Sequence, residues 1–320
     1  MVFRLALCVL AALWAVPAFG AQVDSKAQAK SLERAFKLIG DGKFKQARTE
    51  IDKATVAAGG PCGECLLGLS HIYASEQKWS EAADASRQAI PLLKSPALQA
   101  RAYNQLGIAN VMLNTPESLA QAEEELRKAA DAGGAWGAMA RYNLAELLYR
   151  RRSWAEAAEA ARLYLQEAGP GGTTLKEARV LLCRARNLLP EEPSPEVEGA
   201  SKDAMPDPLR VGGGVSRPEI LYQEDPQYTE AARQARVEGT VILEAIIDED
   251  GCVRNARALR GLSHGMTESA LGTVRRWVFR PAMLENRPVK VYYVLSINFK
   301  VQQPPPRLEY PTSPPGTTPG

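Results

Sequence analysis

Two cysteines separated by two residues are the best candidates for chemistry in this sequence. They are the ends of the run Cys62-Gly63-Glu64-Cys65. If the run starts a helix, the helix N-terminus would stabilise the thiolate of Cys62, as redox proteins require. No strand-helix-strand pattern of the thioredoxin kind surrounds it, so we favour a local disulfide between Cys62 and Cys65. Cys183 and Cys252 are then expected to be small buried residues. A thiol-disulfide redox protein using Cys62 and Cys65 stays open as an alternative.

The other reactive side chains do not form a recognised catalytic or metal-binding pattern. His71 and His264 lack ligand-like spacing to the cysteines, so we expect a packing or surface residue and a loop residue. The acidic run 248–250 falls in a predicted turn, where solvated charges are usual. No nucleophile elbow, dinucleotide fingerprint or His-Glu-x-x-His motif occurs. We therefore expect no enzymatic activity, no metal site and no cofactor.

The first 20 residues predict export from the cytoplasm. Arg4 provides the basic start, residues 5–16 form an apolar run, and small residues precede a cleavage point after Gly20. The run is short for a bilayer span. We predict a periplasmic protein that begins at Ala21, with an inner-membrane anchor facing the periplasm as the alternative. A net charge of +2 gives no reason to expect nucleic acid as a partner.

Residues 26–189 predict an all-α region with an internal repeat. Small residues recur at Ala47, Ala82, Ala122 and Ala157, spaced by 35, 40 and 35 residues, and would let paired helices pack closely. The pattern resembles the tetratricopeptide repeat, whose period is about 34 residues. We expect four units and a capping helix at 175–189, with extra turn residues at 114–117 explaining the longer spacing. Residues 190–217 predict a flexible Pro/Gly-rich linker, and 302–320 a disordered Pro-rich tail.

Residues 218–301 predict a small α+β domain. Apolar and polar residues alternate strictly over 289–300, which is typical of a half-buried strand. The β-branched run 239–247 ends at an Asp-Gly turn and should pair with a second strand at 252–260. Helices are expected at about 229–236 and after Thr267, which we assign as an N-cap. The expected domain is a three-stranded antiparallel sheet covered on one face by two helices.

Five short motifs link this domain to a known family. They are Asp225-Pro226-Gln227-Tyr228-Thr229-Glu230-Ala231-Ala232-Arg233, Val237-Glu238-Gly239-Thr240-Val241, Asp248-Glu249-Asp250-Gly251, Trp277-Val278-Phe279-Arg280-Pro281-Ala282 and Pro288-Val289. Together they resemble the C-terminal domain of the TonB family of envelope energy transducers. The family usually has Tyr-Pro where this chain has Tyr228-Thr229. The whole chain is thus expected to be multidomain, with a helical repeat solenoid followed by a TonB-like α+β domain.

The resemblance implies a protein-binding function in the cell envelope. In that family the domain docks the N-terminal box of an outer-membrane transporter by adding the peptide as a strand to a sheet edge. The implied partner-binding residues are Gln227, Tyr228, Arg233, Val291, Tyr293, Leu295, Ile297 and Phe299. We predict a periplasmic adaptor whose repeats bind a second envelope protein. A membrane-anchored transducer, a purely structural scaffold and a homodimer through the bare edge stay open.

Overall fold

The computed structural model describes residues 24–169, 174–189 and 208–300. It divides into two compact units, Met1–Glu198 and Gly199–Gly320. The predicted signal peptide, the tail at 302–320 and most of the predicted linker lie outside the described residues. Within the described ranges, no helix combines the length and the apolar character needed to span a bilayer.

The first unit is a stack of helices. Its α-helices are α1 (Ser25–Gly40), α2 (Phe44–Ala57), α3 (Gly63–Ser75), α4 (Trp79–Ala89), α5 (Pro96–Leu113), α6 (Pro116–Asp131), α7 (Gly134–Arg150), α8 (Trp154–Glu167) and α9 (Leu175–Arg186). Consecutive helices pack in pairs, α1 with α2 through α7 with α8, and α9 packs on α8. The predicted all-α repeat region with a final helix is confirmed.

Buried alanines allow these helices to approach each other closely. Ala47, Ala82, Ala122 and Ala157 lie on α2, α4, α6 and α8, the second helix of each pair, and all are buried. A methyl group fills little space, so the facing helix can pack directly against the backbone of its neighbour. The regular spacing of alanines in the sequence therefore marks the places where paired helices pack closely.

The longer spacing in the third pair comes mainly from an earlier start of α6 and not from the turn after α5. Helix α6 begins six residues before Ala122, whereas α4 and α8 begin three residues before Ala82 and Ala157. The turn that follows α5 is short, because Asn114 ends the helix in the left-handed region and Thr115 caps α6 at once. The prediction of extra turn residues at 114–117 was wrong, because Pro116 and Glu117 already belong to the first turn of α6.

The second unit contains several short strands and two helices. Its elements are β1 (Leu209–Arg210), β2 (Glu219–Tyr222), α10 (Glu230–Gln234), β3 (Gly239–Ile247), β4 (Val253–Arg260), α11 (Met266–Val274), β5 (Val278–Arg280), β6 (Ala282–Leu284), β7 (Arg287–Val289) and β8 (Val291–Phe299). The main sheet has the order β1-β8-β3-β4, and two small pairs, β2 with β5 and β6 with β7, stand apart from it.

The expected three-stranded sheet needs one correction. The three predicted strands are present as β3, β4 and β8, but β1 adds a fourth, parallel to β8, through Leu209 opposite Val291 and Arg210 opposite Tyr292. A two-residue strand has too few residues for an alternating pattern, and the surrounding glycines and prolines suggested a linker. Residues 208–217 therefore belong to the folded unit and not to the predicted linker.

The predicted helix after Thr267 also differs in detail. Helix α11 begins at Met266, two residues before the predicted start, and its N-cap is Gly265 with a positive φ of 76°. The Thr267 hydroxyl instead accepts from the Leu262 amide at 2.9 Å and donates to the Leu262 carbonyl at 2.8 Å. Trp277 and Phe279 follow the helix and are buried, as expected of core residues.

Two helical glycines test the close packing of the first unit. A Cβ added at Gly107 would lie 2.6 Å from Leu126 Cγ and 3.3 Å from the Ala122 carbonyl oxygen, whereas one at Gly68 would mainly meet the terminal methyl group of Ile51. We expect Gly107→Ala to lower the free energy of unfolding by about 1 to 2 kcal/mol, because overpacking outweighs the gain in helix propensity.

Gly68→Ala is the matched control, since a terminal methyl group can rotate away. Its free energy of unfolding should stay within about 1 kcal/mol of the unmodified chain. Urea unfolding followed by far-ultraviolet circular dichroism measures both variants. An equal loss in the two variants would contradict the assigned packing at Gly107.

Candidate functional site

One side of β8 is largely without a strand partner. On its other side, β8 pairs with β3 through nine consecutive residue pairs, from Gly239 opposite Phe299 to Ile247 opposite Val291, without a register shift. On the first side, β1 pairs only with Val291 and Tyr292. Within the described ranges, residues 293–299 therefore have no strand partner on the side that faces away from β3. We call this side of the segment the β8 edge.

Most side chains predicted to bind a partner point into the core. Val291, Leu295, Ile297 and Phe299 are buried, and the half-buried Tyr293 ring packs edge-on against Phe279 at 5.9 Å between centroids. These residues anchor β8 in the core and thereby position its edge. A ligand strand would meet the main chain of β8 rather than these side chains.

The outward row of β8 was missed by sequence reasoning. Val294, Ser296 and Asn298 are exposed, Val294 to 53%. Their signal was present in the alternation of the same strand, because every second residue must face away from the core. A peptide paired with the β8 edge would place its own outward-facing side chains beside this row.

The opposite edge of the sheet, β4, is irregular. Its register against β3 shifts twice, and each shift leaves an extra residue in β4, the first at Leu259. Asn255 has a positive φ of 44°, and three arginines, Arg254, Arg257 and Arg260, lie along the strand. Bulges and charged side chains are the usual protection of an edge against pairing with another chain. The two edges are thus unequal, and the β8 edge is the regular one.

The three remaining predicted contact residues have different environments. The Tyr228 ring packs against Phe299 at 5.8 Å between centroids, and its hydroxyl donates to the Val237 carbonyl. Tyr228 thus supports the C-terminal end of β8. Gln227 and Arg233 are exposed, and the Gln227 carbonyl accepts from Ser269 at 2.5 Å. Thr229, at the position where the resembled family usually has proline, caps α10 by accepting from the Ala232 amide at 3.1 Å.

The sequence suggested that the acidic run at the β3–β4 turn is solvated throughout. In the structure it is not. Glu249 is exposed, but Asp248 is only 3% exposed. Its carboxylate accepts from the amides of Asp250 at 3.1 Å and Cys252 at 2.8 Å. The carboxylate therefore replaces water at two turn amides and fixes the hairpin.

The two vicinal cysteines form a disulfide at the start of α3. The sulfur atoms of Cys62 and Cys65 are 2.00 Å apart, and the Cys65 amide donates to Cys62 Sγ at 3.0 Å. Cys65 is buried among residues of α1 and α2. Helices surround the pair, so the strand-helix-strand setting of thioredoxin-like enzymes is not found around it. Cys183 and Cys252 are both buried.

Glu64 and His71 are two titratable groups on one face of α3. They are seven residues apart, close to two helical turns. Burial raises the pKa of the Glu64 carboxyl to about 7. Burial, followed by the positive charge of Arg101, lowers the pKa of His71 to about 4. Glu64 and His71 are partly buried, and this burial favours the neutral form of both groups.

The second unit is identified by its sequence. Residues 224–301 match the family model described as Gram-negative bacterial TonB protein C-terminal. The second unit carries a TonB C-terminal domain. The recognition made from the five sequence motifs is thereby confirmed, and the family model covers 78 of the 320 residues.

A curated relative supports the assignment of the TonB C-terminal domain. Protein TonB of Vibrio cholerae serotype O1 (strain ATCC 39315 / El Tor Inaba N16961) is 28% identical over 118 residues. The match covers 36% of this chain and 45% of the relative, so this chain spans less than half the length of that protein.

Solved structures match about half of the chain. They include the MamA protein (20% identity, 51% of this chain, 82% of that chain, TM-score 0.40). BtubC from P. vanneervenii follows with 17% identity, 52% and 82% coverage and a TM-score of 0.40. PilF of Pseudomonas aeruginosa has 15% identity, 51% and 84% coverage and a TM-score of 0.30.

The paired shifts at Glu64 and His71 predict opposite pH responses. The unfolded chain protonates the imidazole near pH 6.5 and the folded chain only near pH 4, so His71 lowers stability as the pH falls between these values. The folded chain protonates Glu64 near pH 7 and the unfolded chain near pH 4.5. Glu64 therefore raises stability as the pH falls from 7 to 4.5.

Removing either group should reveal the effect of the other on the pH dependence of stability. Glu64→Gln should make stability fall more steeply between pH 7 and 4.5 than in the unmodified chain, and His71→Asn should make it fall less steeply or rise. Urea midpoints measured across this range report both slopes. Slopes equal to that of the unmodified chain in both variants would show that the two groups are solvated.

Proposed function

We propose that this protein is an exported envelope adaptor whose TonB C-terminal domain docks an extended peptide of an outer-membrane transporter. The helical repeats bind a second envelope protein. The observation that carries the proposal is the β8 edge, a regular strand segment of a TonB C-terminal domain that has no strand partner on one side among the described residues. The protein acts by binding and not by catalysis.

Strand addition follows from the chemistry of the β8 edge. Unpaired N–H and C=O groups accept an extended peptide through main-chain hydrogen bonds, while alternate side chains supply specificity. The nine-pair ladder with β3 holds β8 straight and in register. The ligand therefore meets a preformed template and does not have to order it, which reduces the entropic cost of binding.

The inequality of the two sheet edges supports docking at β8. A ligand strand on β4 would have to follow two bulges and lie beside three arginines. Its hydrogen-bond ladder would be interrupted at each bulge. The β8 edge imposes neither obstacle.

A periplasmic location agrees with several features of the chain. The TonB family acts in the envelope, and the first 20 residues read as a secretory signal. The Cys62–Cys65 disulfide suits an oxidising compartment outside the cytoplasm.

A membrane-anchored energy transducer is the second candidate, favoured by the similarity to Protein TonB of Vibrio cholerae. In that case the apolar run at residues 5–16 would stay in the inner membrane. The adaptor and the transducer thus differ in the fate of the first 20 residues.

Photo-crosslinking in the native envelope tests the docking edge. A benzoylphenylalanine residue replaces Val294 or Ser296 on the outward row of β8, and the matched control replaces Leu259, equally exposed at 53% but on β4. We expect adducts with the N-terminal segment of an outer-membrane transporter at the two β8 positions, identified by mass spectrometry. Transporter adducts at Leu259 without adducts on β8 would overturn the proposed edge.

The mature N-terminus separates the adaptor from the transducer. We expect a chain that begins at Ala21 and is released with the soluble periplasmic fraction, because the apolar run is short for a stable span. N-terminal sequencing and envelope fractionation provide the measurement. Retention of Met1 in the inner-membrane fraction would replace the adaptor by the transducer.

A further inference from the structure

The main sheet of the second unit has one face that α10 and α11 do not cover. These helices pack on the other face, where Ala232, Met266 and Ala270 share a core with every second residue of β3 and β8. The residues between them point away from that core. We call the surface that they form, together with the neighbouring side chains of β1 and β4, the open face. Its central residues are Ile242, Glu244, Ile246, Tyr292, Val294 and Ser296.

The centre of the open face is largely apolar. Ile242 and Ile246 of β3 lie beside Tyr292 and Val294 of β8, and we call these four residues the apolar strip. Val294 is 53% exposed and the other three are half-buried. A sheet face that exposes apolar side chains is commonly completed by another protein element, which removes these side chains from water.

Arginines border the apolar strip on both sides. On β1, Arg210 lies opposite Tyr292, and its guanidinium carbon is 5.5 Å from the centroid of the Tyr292 ring. Residues opposite each other in a ladder lie on the same face of the sheet. The arginines of β4 are placed in this way, with Arg254 opposite Ile246, Arg257 opposite Glu244 and Arg260 opposite Ile242.

The four arginines outnumber the carboxylates that pair with them. Two of the four form ion pairs inside the second unit, with Glu244 at 2.5 Å and with Asp248 at 3.3 Å. Arg210 and Arg260 form no ion pair with the described residues. The open face therefore carries an excess of positive charge, which attracts an acidic partner.

A helix fits the open face better than an extended peptide does. The main-chain groups of β3 are already paired with strands on both sides, so its face offers a ligand only side chains. An extended peptide covering that face would leave its own N–H and C=O groups unpaired, whereas a helix pairs them internally. From Ile242 to Ile246 the strip is about 13 Å long, which matches about two and a half turns of a helix.

We propose that the open face binds an amphipathic helix of a partner protein. The apolar ridge of that helix packs on the apolar strip, and acidic residues on its two flanks pair with Arg260 and Arg210. The open face is a second docking surface of the TonB C-terminal domain. It recognises side chains, whereas the β8 edge offers main-chain groups, and it does not require a peptide on that edge.

The charges argue against two other occupants. Two copies joined through their open faces would bring like-charged arginines together, which opposes association. A flat anionic bilayer would meet the long arginine side chains before the half-buried Ile242 and Ile246, so the apolar strip would stay uncovered. A protruding helical ridge reaches the strip between the arginines.

Two pools of helical peptides test the open face with the full chain. Each peptide has about 15 residues, four turns of helix, with a hydrocarbon staple on one side and an apolar ridge containing photo-leucine on the other. The flanks carry Glu in one pool and Gln in the other. We expect about threefold to tenfold stronger retention of the Glu pool, as two exposed ion pairs allow, and a smaller ratio at high salt. Affinity selection followed by mass spectrometry measures the ratio.

Photo-leucine in the ridge identifies the surface that is bound. Irradiation should attach the Glu peptides to the apolar strip, at Ile242, Ile246 or Val294, and peptide mapping by mass spectrometry locates the adducts. Adducts confined to the helical unit, or to the face of the sheet that packs on α11, would overturn the assignment to the open face.

Variants connect the Glu preference to the arginines. Arg260 is exposed, so Arg260→Gln leaves the core intact and should lower the ratio between the pools at least twofold. Arg287→Gln, which removes an exposed arginine on β7, is the charge-matched control and should keep the full ratio. Equal retention of both pools by the unmodified protein, or an unchanged ratio in Arg260→Gln, would contradict the proposal.

A variant of the apolar strip tests the other half of the contact. Ile242→Asn should weaken retention of both pools, with near-ultraviolet circular dichroism as the check on folding. If this variant unfolds, the Arg260→Gln ratio and the adduct positions decide. Transporter adducts at the β8 edge should be the same in Arg260→Gln and in the unmodified chain, so failure of this inference is distinguishable from failure of the proposed docking edge.

Two further measurements identify a different occupant. Vesicles of phosphatidylglycerol and phosphatidylcholine that bind the unmodified chain but not Arg260→Gln, with neither peptide pool retained, would assign the open face to anionic lipid. A dimer in sedimentation equilibrium that Ile242→Asn dissociates would assign it to a second copy of this chain. Either result would show that the partner helix is wrong.

Discussion

The second unit depends on one continuous hydrogen-bonded ladder between β3 and β8. Nine residue pairs without a register shift place every second side chain of both strands on the buried face. Val241, Leu243, Leu295 and Ile297 meet there with residues of α11. A slip by one residue would turn the apolar rows towards solvent. The same ladder that builds the core therefore also fixes the free side of β8.

Alternation and turn chemistry were sufficient to predict the central strands. The limits of β3 agree with the sequence interpretation, and the buried and exposed rows of β8 follow its alternation. Short elements were not predictable in the same way. The two residues of β1 and the three residues of β5 have no period, so only tertiary pairing defines them.

The sequence predicted β8 as a docking strand but did not predict how its side chains lie. The sequence could place a strand at a sheet edge, yet it could not show that most of the named side chains would be buried under that edge. Asp248 shows a related limit. A carboxylate in a turn is usually solvated, but here two backbone amides enclose it. Whether a polar residue faces water or the backbone depends on the local chain path, which residue type does not specify.

The helical unit was predictable because its repeat is a packing repeat. Alanine spacing reports where helices must approach, and this constraint acts locally within each pair. The surroundings of Arg101 are different in kind. It lies beside the aromatic rings of Phe36 on α1 and Trp136 on α7, positions separated by about a hundred residues in the chain. No pattern within one repeat could bring these residues together.

The short strand β1 has a consequence for the size of what β8 can hold. It occupies the first two residues of β8 and leaves seven of nine, a length of about 23 Å at the usual rise per residue. A longer strand could extend towards Val291 only by displacing β1, and would lose the hydrogen bond from the Leu209 amide to the Lys290 carbonyl at 2.9 Å. β1 therefore sets both the starting point and the maximum length of a strand that joins this sheet without rearranging it.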